Sequence, residues 1–493
     1  MNPRGTVIGF SAVTVFIGGQ AGRQPGLGRL RFHQGDPMID MRNRLVDQCG
    51  KSFLVALTLV YATALHAHTD YPPPEDSSPS PTLTGEWNGV RKQLREAGIT
   101  IEITQIADFM LNTGGNEQGG YFDGLLFPDI NVDLSRLMGW RGASFNISAY
   151  VIQGEGITTP SGLRGYLSPT NIEYTPAVTK LAELWLQQEW FDNRLALKVG
   201  QIEGDTNFNI LRSADFFING SWGWLGSWSA NLPGSGPTYP NPVPAVQLIL
   251  RPVPPWTIQA AVFNGNPTGN DPVGNANGLR FPLGQGALTF LEFTYEPDGG
   301  EEDTLPHAYK LGAWYHSGDF DSYTTRVTGE PRDADADDPP PQTLRGNYAL
   351  YLSLDRPLWY ESDTRSRGLN LFGTLTINPQ SERNVAHWLV DAGLAYTGLI
   401  PGRPLDRTGI GFTWMEMSPD YAAFIRTIDQ PEEPDFAIPR HEAFLELTHQ
   451  AVVNPWLKIQ PFFQYVVNPG QNDFPPRSYP DMALVGIRLV ISL

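Results

Sequence analysis

The chain has 493 residues, 41% hydrophobic and 17% charged, with 51 glycines, 43 prolines and 11% aromatics. That length holds one large all-β domain or two or three smaller ones, and low charge with abundant glycine and aromatics suits a membrane barrel, though a secreted β-protein shares the balance. A net charge of −18 argues against a nucleic-acid partner, which needs a basic footprint.

Met41 to Ala67 has the layout of a secretory signal peptide: Arg42, Arg44 and Lys51, then the apolar run Phe53 to Ala64, then small residues at Ala62, Ala64 and Ala67. A leader beginning at residue 41 makes residues 1–40 an upstream start extension. Cleavage after Ala67 removes 7 of the 34 basic and 3 of the 52 acidic residues, leaving a net −22, and it removes the single cysteine, Cys49. The mature chain then has no disulfide and no thiol nucleophile. Past the leader no run reaches the roughly 18 apolar residues of a membrane helix, so a membrane-crossing chain of this kind is a barrel.

Residues 68–83, rich in proline, form a linker. Thr84 to Ala97 is expected as a short periplasmic helix with Trp87, Val90, Leu94 and Ala97 on one face, Thr84 as N-cap and Gly98 as stop. From Ile99 the pattern changes to period 2. Strands are expected near 99–110, 128–138, 141–151, 181–190, 194–203, 243–251, 255–263, 286–295, 306–317, 345–355, 366–377, 385–396, 408–417, 440–452, 456–468 and 483–493. The last is typical: Val485, Ile487, Leu489, Ile491 and Leu493 alternate with Gly486, Arg488 and Ser492.

The connections alternate. Residues 111–127, 152–180 and 204–242 are long, whereas 139–140, 191–193 and 252–254 are short. Short turns on one side and long loops on the other are the pattern of an outer-membrane barrel, and sixteen strands put both chain ends in the periplasm. The fold expected is therefore an all-β membrane protein, a 16-stranded antiparallel outer-membrane β-barrel over residues 99–493 with a short N-terminal periplasmic helix.

Several segments carry a family resemblance. Leu83-Thr84-Gly85-Glu86-Trp87-Asn88-Gly89-Val90-Arg91, with Leu94 and Gly98-Ile99, opens the mature part. Tyr396-Thr397-Gly398-Leu399-Ile400-Pro401-Gly402-Arg403-Pro404, then Asp406 and Gly409-Ile410-Gly411, forms a late turn. Glu442 to Glu446, Asn454-Pro455-Trp456-Leu457, Gln460-Pro461, Gln464-Tyr465 and Asn468-Pro469-Gly470 follow. Together these resemble the carbohydrate-selective porins of the OprB type over nearly the whole mature length. The resemblance implies passive diffusion of mono- or oligosaccharides through the outer membrane without chemical conversion or cofactor. Leu493 stands where that family usually ends in an aromatic residue.

A sugar channel needs aromatic faces for the C–H side of a pyranose and polar groups that replace water on its hydroxyls, each weak enough to release it. The third long loop, which folds inward in 16-stranded porins, holds Asn207, Asn209, Arg212, Asp215, Phe216, Phe217, Asn219, Trp222, Trp224 and Trp228. Trp222, Trp224 and Trp228 either stack on sugar or pack the loop against the wall. Alternation turns Glu183, Trp185, Gln187 and Glu189 toward the lumen, and likewise Lys198, Lys310, Trp314, Glu446, Lys458 and Arg488. These groups either touch a sugar or neutralise one another.

Asp333, Asp335, Asp337 and Asp338 lie in a long loop, as a solvated segment or as ligands for cations that bridge lipopolysaccharide. No metal spacing, G-x-S-x-G elbow or phosphate loop appears. A general cation-leaning porin is the alternative that the net charge suggests; a barrel enzyme lacks a Ser/His/acid set, and an adhesin would carry longer outer insertions. The expected partners are sugars in transit, outer-membrane lipid and lipopolysaccharide, with a homotrimer as one assembly open to the barrel.

Overall fold

The computed structural model describes residues 82–493 apart from 115–117, 159–162, 164, 269–274, 285, 299–303, 333–338, 362–364, 428–439 and 471–478. The start extension, the leader, most of the linker and the acidic run at 333–338 lie outside the described residues.

Sixteen strands close on themselves, every neighbour antiparallel and sequential, with β1 completing the ring against β16. They are β1 (Ile99–Asn112), β2 (Gly119–Asp133), β3 (Ala143–Gly154), β4 (Thr179–Trp190), β5 (Leu195–Ile202), β6 (Val243–Leu250), β7 (Trp256–Asn264) and β8 (Ala287–Tyr295). The second half comprises β9 (Ala308–Arg326), β10 (Pro341–Tyr360), β11 (Gly368–Ile377), β12 (Ala386–Thr397), β13 (Arg407–Met417), β14 (His441–Asn454), β15 (Leu457–Val467) and β16 (Met482–Ser492). Each expected strand is present. Closure leaves no edge with unpaired backbone groups, which is what lipid requires.

Val246, Leu248, Val262, Leu311, Leu352, Leu375, Ile410, Phe412, Leu445 and Leu447 sit on the outer face of their strands and are exposed, an apolar surface of the kind that lipid covers. The residues between them face inward. The lumen is not simply polar: the largest buried cluster joins strand residues Phe263, Phe290, Tyr351, Phe372, Phe444 and Phe462 to the aromatics of the third loop.

Several boundaries differ from expectation: β9 runs on to Arg326 and β10 from Pro341 to Tyr360, where 306–317 and 345–355 are expected. The second strand ends at Asp133, because its carboxylate accepts the N–H groups of Ser135 and Arg136 and caps a short helix, α2 (Leu134–Met138). Gly139, at φ 77°, ends that helix. The first connection at the long-loop end covers 113–118 instead of 111–127, since Gly119 and Gly120 already pair with Asn112 and Leu111. The N-terminal helix, α1 (Val90–Glu96), is shorter than expected; Gly89 is its N-cap, and the Thr84 hydroxyl accepts the Trp87 indole N–H instead.

That segment packs on the seam beside the C-terminus. Leu83 donates to the Ser492 carbonyl at 2.8 Å, and Leu493 donates to Ile103 at 2.8 Å. Arg91 is buried, with its guanidinium 4.2 Å from the Trp87 ring centre and donating to the Leu493 and Gly85 carbonyls. At the seam itself Arg488 of β16 forms two 2.7 Å bonds to Asp108 of β1, both side chains buried.

Candidate functional site

Two connections at the long-loop end turn into the barrel: loop 2 (155–178) and loop 3 (203–242). A loop inside the lumen has backbone N–H groups with no strand partner, and each needs an acceptor. Carboxylates on the wall supply them. Glu292 of β8 accepts the Asn209 N–H at 2.7 Å, and Asp355 of β10 accepts the Ser213 N–H and hydroxyl at 2.8 and 2.6 Å. Glu446 of β14 accepts from Ile218 N, Asn219 N and the Trp222 indole at 2.8, 2.9 and 3.2 Å. Glu442, four residues earlier on the same face, accepts from Tyr166 N and Leu167 N of loop 2 at 3.0 and 2.9 Å. The two loops also join directly, through Asn171 N to Ile218 O and Gly220 N to Ser168 O.

Aromatic packing completes the attachment. Trp222 meets Phe372 and Phe444 edge-on at 5.4 and 5.5 Å, and Trp228 meets Phe290 and Tyr351 at 5.5 and 5.1 Å. Trp228 donates to the Thr376 hydroxyl at 3.1 Å, and Trp224 to the Ser235 carbonyl at 2.9 Å. The wall is notched to receive these rings: a Cβ on Gly409 would lie 2.4 Å from Phe217, and one on Gly411 2.5 Å from Trp222. Both glycines face inward on β13, between the exposed Ile410 and Phe412.

The expected site residues thus separate into two sets. Trp222, Trp224 and Trp228 are buried, Trp228 at 0% exposure, and so are Trp314 and Asn209. Lys310 and Arg488 face inward as expected but are buried ion-pair partners of Glu292 and Asp108, and Glu446 holds loop 3. The second set is partly accessible. Trp185 donates to Glu183 at 3.0 Å, Lys198 stands 4.6 Å from the Trp185 ring centre and donates to Asn207 at 3.0 Å, and Thr206 donates to Glu183 at 3.2 Å. Gln187 donates to Glu189 at 2.9 Å farther along β4.

Asp215 pairs with Arg407 of β13, whose guanidinium lies 4.2 Å from the Phe216 ring centre, while Lys458 is within electrostatic reach of both. Beside them Arg212, Thr304, Ser366, Asn370, Thr397 and Arg407 border a cavity of about 210 Å³. In a ring of sixteen, β5 and β13 are eight strands apart, so the Trp185–Lys198 group and the Arg407 group stand on opposite walls. Sequence reasoning did not single out Arg407, Glu292 or Asp355, nor the anchoring role of Glu442. The available signal was repeated acids on lumen-facing strand positions, which also fits a solvated wall.

The root of loop 3 is acidic and buried. Glu203 accepts the Tyr150 hydroxyl, and its other oxygen has no partner among the described residues. Asp205 accepts Tyr239 N and the Thr238 hydroxyl at 2.9 and 2.7 Å. Burial pushes Asp205 up to about 6; burial, with the Asp205 charge beside it, pushes Glu203 well above the usual carboxylate range.

A closed barrel with an apolar outer face, and with its third loop drawn across a charged lumen, is an outer-membrane diffusion channel. Residues 118–493 match the carbohydrate-selective porin, OprB family, and the chain belongs to that family. It is similar to Porin B of Pseudomonas aeruginosa, 25% identical over 409 residues that cover 79% of this chain and 87% of the relative. Putative porin QuiX of Acinetobacter baylyi is 23% identical over 424 residues, 78% of this chain and 88% of the relative. The high-pH structure of Pseudomonas putida OprB superposes with a TM-score of 0.74 at 22% identity, covering 85% of this chain and 100% of that one, which shows the shared fold. The protein is therefore a carbohydrate-selective porin of the outer membrane, and its family is one of channels.

Replacing Glu446 with alanine strands two backbone N–H groups and an indole, at about 1–3 kcal/mol each. Glu446→Ala is expected to raise single-channel conductance as loop 3 loosens and to lower the urea midpoint of the vesicle-inserted protein; Glu446→Gln, which keeps an acceptor, shows a smaller change in both. The pH dependence at the loop root has a definite sign. Asp205 keeps a proton in the folded protein that the unfolded chain sheds near 3.8, so its contribution is full below that value and is lost as pH rises toward about 6. Glu203 acts in the same direction and over a wider range. The midpoint of heat-induced unfolding should fall more between pH 5 and pH 8 in the natural protein than in Glu203→Gln/Asp205→Asn; equal falls would show that these groups carry no linkage.

Proposed function

We propose that mono- and short oligosaccharides of the glucose type cross between the two accessible groups under loop 3. The observation that supports this is the pairing, on partly exposed lumen residues, of the Trp185 ring with the Glu183 carboxylate, Lys198 and Asn207. The indole offers a face for the C–H side of a pyranose, while the carboxylate, ammonium and amide replace water on its hydroxyls. Arg212, Asp215 and Arg407 receive the sugar on the opposite wall. Glu189 and Gln187 extend the polar track along β4.

In this reading Trp222, Trp224, Trp228, Trp314 and Asn209 set the width of the passage rather than touch the sugar. They are buried parts of the loop 3 attachment. Selectivity for sugars over ions of either sign then depends on paired accessible charges, not on the total of −18. Passage without chemical conversion, a leader ending at Ala67, contact with lipopolysaccharide and assembly as a homotrimer belong to the same reading.

The test is current block by glucose and maltose through the refolded mature protein in planar bilayers. Saturable block is expected, and Trp185→Ala should weaken it roughly tenfold, equivalent to about 1.4 kcal/mol, with little change in conductance. Trp228→Ala should instead change conductance. Undiminished block in Trp185→Ala would contradict the assignment of the contact ring, and steady current at all sugar concentrations would leave a general porin.

A further inference from the structure

The end of the barrel that carries Leu83 and Leu493 bears an asymmetric basic arc. Three consecutive turns, β2–β3, β4–β5 and β6–β7, contribute Arg136 and Arg141, Arg194, and Arg251. The turns are bonded to one another: Gln188 donates to the Arg141 carbonyl at 3.0 Å, and Arg251 N donates to the Arg194 carbonyl at 2.8 Å. Arg194 and Arg251 are therefore neighbours across two adjoining turns. Arg251 is held there by Asn193, through bonds of 2.6 Å to its side chain and 3.1 Å to its carbonyl. Like charges placed side by side are unfavourable unless an anion lies between them.

The acids nearby only partly compensate. Asp133 pairs with Arg136 at 3.2 Å, and Asp192 is exposed in the β4–β5 turn, so the arc keeps a positive excess in a chain of net −18. The next turn, β8–β9, changes sign with Glu296 and Asp298. Alongside the arginines lie Trp140, Trp190 and Trp256, all exposed, and Phe191 at 73% exposure. Phe191 reaches that position through a strained backbone: it, Asp192 and Asn193 have φ of 58°, 53° and 65°, a region that a bulky side chain rarely enters. A costly conformation that displays an aromatic ring next to an arginine indicates a surface built for a boundary. Indole and phenyl rings settle at the headgroup level of a bilayer, where guanidinium groups meet phosphate.

We propose that this arc, from β2 to β7, is a docking surface for anionic glycerophospholipid in the leaflet at the Leu493 end of the barrel. The phosphodiester bridges Arg194 and Arg251, with Arg141 beside them, and the glycerol and acyl region lies on Trp190, Phe191 and Trp256. The arc orients the barrel in the membrane independently of what passes through it.

The test uses the full mature chain in dodecyl maltoside micelles doped equally with phosphatidylglycerol or phosphatidylcholine, with retained lipid counted by native mass spectrometry. Phosphatidylglycerol should be retained preferentially, and the preference should weaken at high salt. It should fall by about fivefold for each arginine removed on the way to Arg141→Gln/Arg194→Gln/Arg251→Gln. The lysine version of the triple variant should keep most of the preference, and Arg365→Gln/Arg367→Gln, outside the arc and next to acids, should leave it unchanged. Heat-modifiable migration confirms that each variant is folded, and the single Arg194→Gln and Arg251→Gln variants carry the test if the triple glutamine variant is not; an undiminished preference in both would overturn the proposal. Equal retention of the two lipids, a preference untouched by the triple variant, or displacement by an equal concentration of inorganic phosphate would overturn the proposal; the last would mean an ion site rather than a lipid surface.

Discussion

The hydrogen bonds from loop amides to wall carboxylates govern this structure. A barrel of sixteen strands has a wide interior that its own side chains do not fill, and a channel of defined width needs something fixed inside it. Here that is loop 3 with part of loop 2. Glu442 and Glu446 are buried, and the bonds that hold them come chiefly from backbone N–H groups. Charge-assisted bonds of this kind are about twice as strong as neutral ones, which offsets much of the desolvation. Glu292 adds Lys310 as a counter-charge, and Asp108 adds Arg488. Part of the acidic excess is thus a structural fixing device, which is why total charge is a poor guide to what the pore prefers.

The second element of the attachment is steric. Inward-facing glycines on β13 leave room for Phe217 and Trp222, and Gly486 does the same for Phe462 at 2.3 Å from an ideal Cβ. Carboxylates fix the height of the loop by its backbone, whereas the notches fix its lateral position by its rings. Together they make the position of Arg212 and Asp215 a consequence of the wall. Across the ring from Arg407, which pairs with Asp215, stand Trp185 of β4 and Lys198 of β5.

The strands were legible because their alternation is clean and one face must meet lipid, so each register has a single workable phase. Failures came where a local device overrode the pattern. Leu134 to Met138 continues the apolar run of β2, but the Asp133 cap turns it into a helix. Gly119 and Gly120 look like loop and are strand, because pairing with β1 supplies what propensity does not. In the site, the tryptophan cluster was visible, but its role was not. A ring that stacks on a sugar and a ring that packs a loop leave the same mark in a sequence; only the positions of Phe372, Phe444 and Phe290 decide between them. Glu446 and Glu183 likewise share a pattern, and each accepts a loop 3 amide, Glu183 from Glu203 N at 3.1 Å; what separates them is burial, complete at Glu446 and partial at Glu183.

The most direct test of this account is hydrogen exchange at the amides of Asn209, Ser213, Ile218 and Asn219 in the folded, micelle-held protein. If wall carboxylates hold loop 3, these four exchange as slowly as the paired amides of β14, although they belong to no strand. Exchange at the rate of an open loop would mean that the loop is not fixed and that the width of the channel is set elsewhere.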